Sequence, residues 1–397
     1  VAKKLDRNVK ALGWVSFLTD VHSEAILPLL PLFITQVLGL NKSFLGLIEG
    51  VADSTASLLK IASGWYSDKI RHRKNPAATG YCLSTIVKPL FALSTSGTQV
   101  LGIRFLDRIG KGIRTAPRDA LIAESVPPHS FGRAFGFHRM MDTLGAVVGT
   151  FLAYAAFNML AGSEEVRIRT IFLFSAVFGV TAVFVLLIFV CEPLRELPHE
   201  MPRDANTASR TSGRGRLAVF IGINTVFHLG MFSYAFFLLR ARSLGLATGS
   251  IPLIYLFYNI IYAVVSLPMG SISDLIGRKP VIFLAYVSYA ALSLGFAFAS
   301  LPWHAWVLFF VYGIHSATVN PASRALVAGL SEKRTHGTAL GIYHTSTGIA
   351  ALPASLIAGV LWDRYGAPAP FLIAGFLAAV AAVAILVLPV DIEGGGD

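Results

Sequence analysis

Asp20 and Glu24 stand four residues apart in an otherwise apolar run, and Glu49 and Asp53 do the same in the next, with Lys60 further along. At about 100° per residue each set falls on one face of a helix. A later run carries Arg104, Asp107, Arg108, Lys111, Arg114 and Arg118, which share a stripe about 120° wide. The run after it adds Arg139 and Asp142. Two chemistries fit this pattern. A basic stripe facing acids on neighbouring helices makes a paired network, in which removing one partner strands the other. The same carboxylates can exchange protons. Poor hydration makes a carboxylate hold its proton, a nearby arginine makes it release it, and moving the base switches between the two. Asp20 and Glu24 are the first candidates for proton coupling, followed by Glu49, Asp53 and Asp142. Lys60, Arg114 and Arg118 lie nearer segment ends, where snorkelling or pairing at a gate suits them.

The second half of the chain has a different chemistry. Between 217 and 390 no acid sits well inside an apolar run. Asn224, His228, Tyr255, Tyr258, Asn259, Tyr262, His315, Asn320, Arg324, Tyr343 and His344 stand there instead. Aromatic rings with a few hydrogen-bonding tips suit an organic ligand. The candidate substrate-binding set is therefore His228, Tyr255, Tyr258, Asn259, His315 and His344, with Arg104, Arg108 and Lys111 from the first half. Interfacial tyrosines and satisfied core histidines give the same pattern, so each residue carries both readings. His22, His138, His228, His315 and His344 also raise transition-metal chemistry, since imidazole with carboxylate suits nickel, iron, cobalt or zinc. His22 and His228 are 206 residues apart and could face each other as repeat mates. Against this, His22 lies about 200° around its helix from Asp20, and no HxxxH pair is present. No metal site is assigned.

The elements that position these groups are apolar and long. Of 397 residues, 54% are hydrophobic and only 14% charged, against about 25% charged in soluble proteins. Runs near twenty residues recur, each able to span a bilayer as a helix. They fall near 11–38, 44–67, 77–95, 99–122, 132–158, 168–192, 217–241, 249–272, 279–299, 303–330, 337–361 and 368–390. The alternation of barrel strands is not seen. No cleavable signal is expected, because Val1 to Lys10 is basic and the next segment carries Asp20 and Glu24. Cys82 and Cys191 suggest neither a disulfide framework nor a metal cluster. The net charge of +11 is topological: 18 Lys and Arg lie on the side that holds both termini and six on the other. The positive-inside rule then puts both termini in the cytoplasm and removes the case for nucleic acid.

The chain also repeats itself. Gly64-Trp65-Tyr66-Ser67-Asp68 returns as Gly270-Ser271-Ile272-Ser273-Asp274, and Ala120-Leu121-Ile122-Ala123 returns as Ala325-Leu326-Val327-Ala328. Gly132-Arg133-Ala134-Phe135-Gly136 returns as Gly337-Thr338-Ala339-Leu340-Gly341 at an offset of 205. The halves are 1–192 and 217–397, joined by a polar linker, 193–216. Two parallel copies of a six-helix unit read first as a transporter with its site between the halves.

On these motifs the chain resembles the major facilitator superfamily over essentially its full length. Gly64-x-x-x-Asp68-x-x-x-His72-Arg73-Lys74 and Gly270-x-x-x-Asp274-x-x-Gly277-Arg278-Lys279 are similar to its loop motif, though Arg71 stands where glycine is usual. Arg104 and Arg108 before Gly110 and Gly112 resemble its fourth-helix basic motif. Gly136, Gly145 and Gly149 match the spacing of its antiporter motif, with Thr150 in place of proline and no terminal glycine pair. The resemblance implies an all-α membrane protein of twelve helices in two pseudo-symmetric bundles. It implies gating contacts at Asp68 and Asp274, for which Arg118 and Arg324 are the candidate bases. The expected function is proton-coupled alternating-access export of small organic compounds from a bacterial-type inner membrane, by a monomer. The proton gradient replaces any cofactor. The rival readings are a transition-metal exporter and a proton-coupled importer of organic anions. No phosphate-binding loop and no nucleophile–base set point to an ATPase or an enzyme.

Overall fold

The computed structural model describes residues 6–70, 72–126, 131–192, 210–330 and 336–388. The side chains of Asp68, Asp274 and Arg324 lie outside the described residues, so these three gating expectations have no geometry here. Twelve helical rods account for nearly all the described chain. In the first half they are α1 (Arg7–Val37), α2 (Lys42–Ile70), α3 (Lys74–Val87, extended by a tighter turn to Leu93), α4 (Gly97–Glu124), α5 (Phe131–Met159) and α6 (Glu164–Phe189). The second half has α7 (Arg210–Gly230, resuming at Tyr234–Ser243), α8 (Ile251–Ile276), α9 (Arg278–Phe298), α10 (Pro302–Leu330), α11 (His336–Tyr365) and α12 (Pro368–Val387). Eight of the twelve are long and apolar enough to cross a membrane on length and composition alone. Large apolar side chains such as Phe184, Phe189, Phe376 and Val387 point outward, as lipid requires. The face that holds the start of α1 and the α2–α3 turn is called the basic face below.

Two rods are broken at matching places. The regular part of α1 stops at Ile26, where Pro28 and Pro31 follow. In α7 the interruption is Met231–Ser233, and the repeat offset of 205 carries Leu27 onto Phe232. Pro31 has no N–H to give the carbonyl of Leu27, four residues back. The Tyr234 hydroxyl donates to that carbonyl instead, at 3.2 Å. The break in one half is thus completed by the break in the other, which is how unwound backbone is tolerated at membrane depth.

A buried ion pair reinforces the same junction. Arg104 of α4 donates to Glu49 of α2 through Nε at 3.2 Å and Nη2 at 3.0 Å. These side chains are 2% and 1% exposed. Ser233, in the α7 break, donates from Oγ to Glu49 Oε2 at 3.1 Å, and its backbone N–H donates to Ser355 Oγ at 3.2 Å. One carboxylate therefore joins α2, α4 and α7.

The halves meet along α2 and α11. Gly46 and Gly50 let α2 approach the backbone of Ser355 and Leu352, and a methyl at Gly50 would fall 2.8 Å from Leu352 Cα. Gly348 and Gly359 of α11 lie against Ser57 and Lys42 in the same way. Such small-residue seams bring membrane helices into backbone contact. This seam runs from the face opposite the basic one towards the middle of the bundle.

Glu49→Gln strands the Arg104 guanidinium and should cost about 3–5 kcal/mol. The double variant Glu49→Gln/Arg104→Gln should recover much of that loss. Thermal unfolding in detergent reads both, and additive losses would show that the two residues do not act as a pair. Tyr234→Phe should cost about 0.5–1.5 kcal/mol by leaving the Leu27 carbonyl unmet; an unchanged midpoint would place no weight on that bond.

Candidate functional site

Two cavities lie between the halves. The first, of about 430 Å³, is lined by Ser16, Asp20, Glu24, Lys111, Arg114, Arg118, Asp119, Arg139, Asp142, Asn259 and Tyr262, among others. Asp20 and Glu24 share it because they sit one turn apart on α1, as the four-residue spacing requires. Gly145 of α5 packs on the Phe17 carbonyl and the Asp20 stem, and a methyl at Gly149 would fall 2.6 Å from the Val21 carbonyl. Two glycines of the antiporter-like spacing thus draw α5 against the acidic turn of α1. Gly136, the third, faces open space.

Asp142 accepts a hydrogen bond from Ser16 and has His138 Nδ1 at 3.7 Å and Arg139 Nη1 at 3.8 Å. Arg139, 62% exposed, also donates to the Tyr262 hydroxyl of α8 at 2.9 Å, a contact across the halves. Arg118 pairs with its neighbour Asp119 at 2.8 Å. One oxygen of Glu24, Oε2, is buried with no hydrogen-bond partner among the described residues.

The second cavity, of about 300 Å³, belongs mostly to the second half. Tyr234, Tyr255, Tyr258, Tyr312, His228, Ser233 and Ser355 line it, and Asp53 and Ser57 of α2 close one wall. Its rings form a ladder, with centroids 5.3 Å apart for Tyr234–Tyr255, 5.7 Å for Tyr255–Tyr258 and 4.7 Å for Tyr258–Tyr312. Helical spacing on α8 produces the first rungs, and α7 and α10 supply the others. The arrangement offers flat apolar faces, phenol and hydroxyl tips, one imidazole and one carboxylate.

The expected site residues therefore divide into five groups. Asp20, Glu24, Asp142, Lys111, Arg118 and Asn259 come together in the charged cavity, and Asp53, His228, Tyr255 and Tyr258 in the aromatic one. Glu49 and Arg104 are tied to each other. Arg108 lies beside Asp107, with Nε 3.9 Å from Oδ2. His315 is not brought to either cavity. It is fully buried in the second half, with Nδ1 2.9 Å from the Ala285 carbonyl and its ring 4.8 Å from that of Tyr289. His344 neighbours Tyr343 and lines neither cavity.

The expected face-to-face pairing of His22 and His228 does not occur. Gly179 of α6 packs on the His22 ring, which is buried within the first half, whereas His228 lines the aromatic cavity. At the offset of 205 that aligns the breaks of α1 and α7, His22 falls on Phe227, one residue before His228, so the two histidines lie on different helix faces. Among the described residues no three His, Cys, Asp or Glu side chains converge to hold a metal.

Sequence reasoning passed over Lys88. Its Nζ donates to Ser23 Oγ at 2.7 Å and lies 3.4 Å from Asp107. It is the base that answers Asp107 from outside the α4 stripe. A lone lysine inside the run 77–95 was the available signal. Ser16, Ser233 and Tyr312 gave none, because their importance depends on distant partners.

The family model described as Major Facilitator Superfamily matches residues 12–238 and 218–395. The uncharacterized MFS-type transporter MJ1317 of Methanocaldococcus jannaschii is 38% identical over 393 residues, spanning 97% of this chain and 95% of that protein. The multidrug resistance protein MdtG of Enterobacter lignolyticus is 25% identical, over 91% of this chain and 87% of its own. Among solved structures, the nucleoside transporter NupG superposes with a TM-score of 0.73 at 15% identity, over 96% of this chain and 98% of that one. The D-xylose-proton symporter gives 0.73 at 17% identity, over 98% and 99%. These two share the fold. Motifs, twelve-helix architecture and family model agree: the chain belongs to the Major Facilitator Superfamily and is a multi-pass membrane transporter of small molecules, not an enzyme.

Proposed function

We propose that this transporter is a proton-coupled exporter of small organic compounds that works by alternating access, with its basic face in the cytoplasm of a bacterial-type inner membrane. One observation carries the reading. The acids of the first half fall into two classes. Glu49 and Asp107 are held in close ion pairs, while Asp20, Glu24 and Asp142 line a charged cavity with Lys111, Arg114, Arg118 and Arg139. Locked carboxylates hold the fold. Cavity carboxylates can take a proton when Lys111, Arg114 or Arg139 moves away, and release it when the base returns. No cofactor is required, because the proton gradient supplies the energy.

The aromatic cavity is the receptor in this scheme. Flat tyrosine faces and a single carboxylate, Asp53, favour an organic molecule with a ring or a positive charge. Names of relatives lean the same way, since MdtG is a multidrug resistance protein. A second reading, transport of organic anions, draws on Lys111, Arg114, Arg118 and Arg139 around the charged cavity. Arg118 and Arg139 already have carboxylates beside them, which lowers their availability to a substrate. Metal export is the weaker rival, with His228 as its remaining cavity histidine.

Purified protein in liposomes, with an imposed pH gradient, should move lipophilic cations against protons. Asp20→Asn and Glu24→Gln should each cut gradient-driven flux at least about tenfold, a change of about 1.4 kcal/mol in the coupled step, without lowering protein yield. Normal coupled flux in both variants would remove the proton site from α1. Tyr258→Ala should change which compounds are carried while coupling to the remaining ones survives. Saturable nickel, zinc or iron(II) transport abolished by His228→Ala would instead establish the metal reading.

A further inference from the structure

The start of α2 is capped by the opposite half of the molecule. An α-helix leaves its first backbone N–H groups without intrahelical partners. Asn41 Oδ1 accepts from Phe44 N at 2.8 Å, as an ordinary cap does. The two N–H groups before it go to Asp363, at the end of α11: Lys42 N donates to Oδ1 at 3.1 Å and Ser43 N to Oδ2 at 2.7 Å. The Ser43 hydroxyl adds a third bond to Oδ2 at 2.6 Å. These are charge-assisted bonds, and they span 320 residues of sequence. They close the outer end of the α2–α11 seam, where Gly359 rests on the Lys42 carbonyl.

The repeat supplies a second copy of this contact. Subtracting the offset of 205 from Asp363 gives Asn158, at the end of α5. Asn158 meets the start of α8 as Asp363 meets the start of α2: its Nδ2 is 3.5 Å from the Gly249 carbonyl, and a methyl at Gly249 would lie 2.7 Å from its Oδ1. Duplication has kept the position and changed its chemistry. Across the halves, one copy has a carboxylate with three bonds, and the other an amide with one long bond, whose Nδ2 also donates to the Tyr154 carbonyl of its own helix at 2.7 Å.

We propose that Asp363 and Asn158 are positioning residues for transport. They form an unequal pair of clasps that hold the face opposite the basic one shut, with Asp363 setting most of the bias towards this closed state. The proposal rests on the alternating-access reading and on neither the proton nor the direction of transport. Opening that face parts α2 from α11 and exposes the Lys42 and Ser43 N–H groups to water. The strong clasp therefore resists opening, and the weak one yields first.

The test is a distance measurement without substrate or gradient. Spin labels go on cysteines replacing Thr98 and Trp303, exposed near the starts of α4 and α10, in a background lacking Cys82 and Cys191. The wild type should give mainly one short distance. Asp363→Ala should raise the fraction with a longer distance about tenfold, Asn158→Ala should raise it much less, and Ser43→Ala should fall between them. In flux assays Asp363→Ala should change maximal rate more than half-saturation, and Asp363→Glu should restore part of the wild-type balance. Unchanged distance distributions in folded Asp363→Ala and Ser43→Ala would overturn the clasp. Flux by the wild-type protein that ignores the pH gradient, with a normal clasp response, would overturn the proton reading and leave the clasp standing. If Asp363→Ala does not fold, Ser43→Ala alone decides, because it removes one bond and leaves the carboxylate in place.

Discussion

A charge taken out of water must find a partner, and the first half of this transporter is organised around that constraint. The stripe on α4 contributes Arg104, Asp107, Arg108, Lys111 and Arg114 to the interior. No single neighbouring helix could answer all of them. Glu49 comes from α2, Lys88 from α3 and the Asp20–Glu24 turn from α1, so the six-helix packing is dictated by charge as much as by shape. Replacing such a network by apolar residues can leave stability intact, while removing one member does not. The retention of so many charges therefore calls for a use beyond cohesion, and transport provides one.

The network is not uniform, and its gradient of engagement is informative. Glu49 has two bonds from Arg104 and one from Ser233, whereas Glu24 leaves an oxygen unmet. The fixed pair lies at the junction of the α7 break, and Glu24 lines the charged cavity. A conformational change that shifts α7 would reach Glu49 directly through Ser233. It would also reach Leu27, three residues beyond Glu24, through Tyr234. The two broken helices thus give the second half mechanical access to the charges of the first.

Much of this was legible in the sequence. The twelve apolar runs fall on the twelve rods with only their ends displaced, because span length is fixed by the bilayer and charge marks the turns. The facing of Asp20 with Glu24 followed from four-residue spacing alone. What stayed hidden depends on relations between distant elements. The break near Pro31 went unread within the run 11–38, and nothing local announced that Tyr234 would satisfy the carbonyl it orphaned. Lys88 was visible as a charge in an apolar run, yet its partner Asp107 had already been assigned to the basic stripe. His22 and His228 misled for a related reason. At the offset of 205 they are one residue out of register, and a repeat does not preserve which neighbour packs against a position: Gly179 made room for His22 inside its own bundle.

That last point bears on how a duplicated transporter becomes directional. Two identical halves would give a symmetric machine with equal seams, α2 on α11 and α5 on α8. Here the backbone arrangement is kept, and the breaks of α1 and α7 still coincide under the offset. Chemistry has diverged on top of it: charges in one half, tyrosines in the other, a carboxylate at 363 and an amide at 158. On the clasp proposal, the weaker seam is the opening edge and the stronger one the pivot. The tyrosine ladder lies on the α8 side, where the edge is weaker, and Asp53 lies on the α2 side, where it is stronger. Geometric symmetry thus supplies two matching seams, and chemical asymmetry makes them unequal in strength and sets different side chains on the two walls of the aromatic cavity.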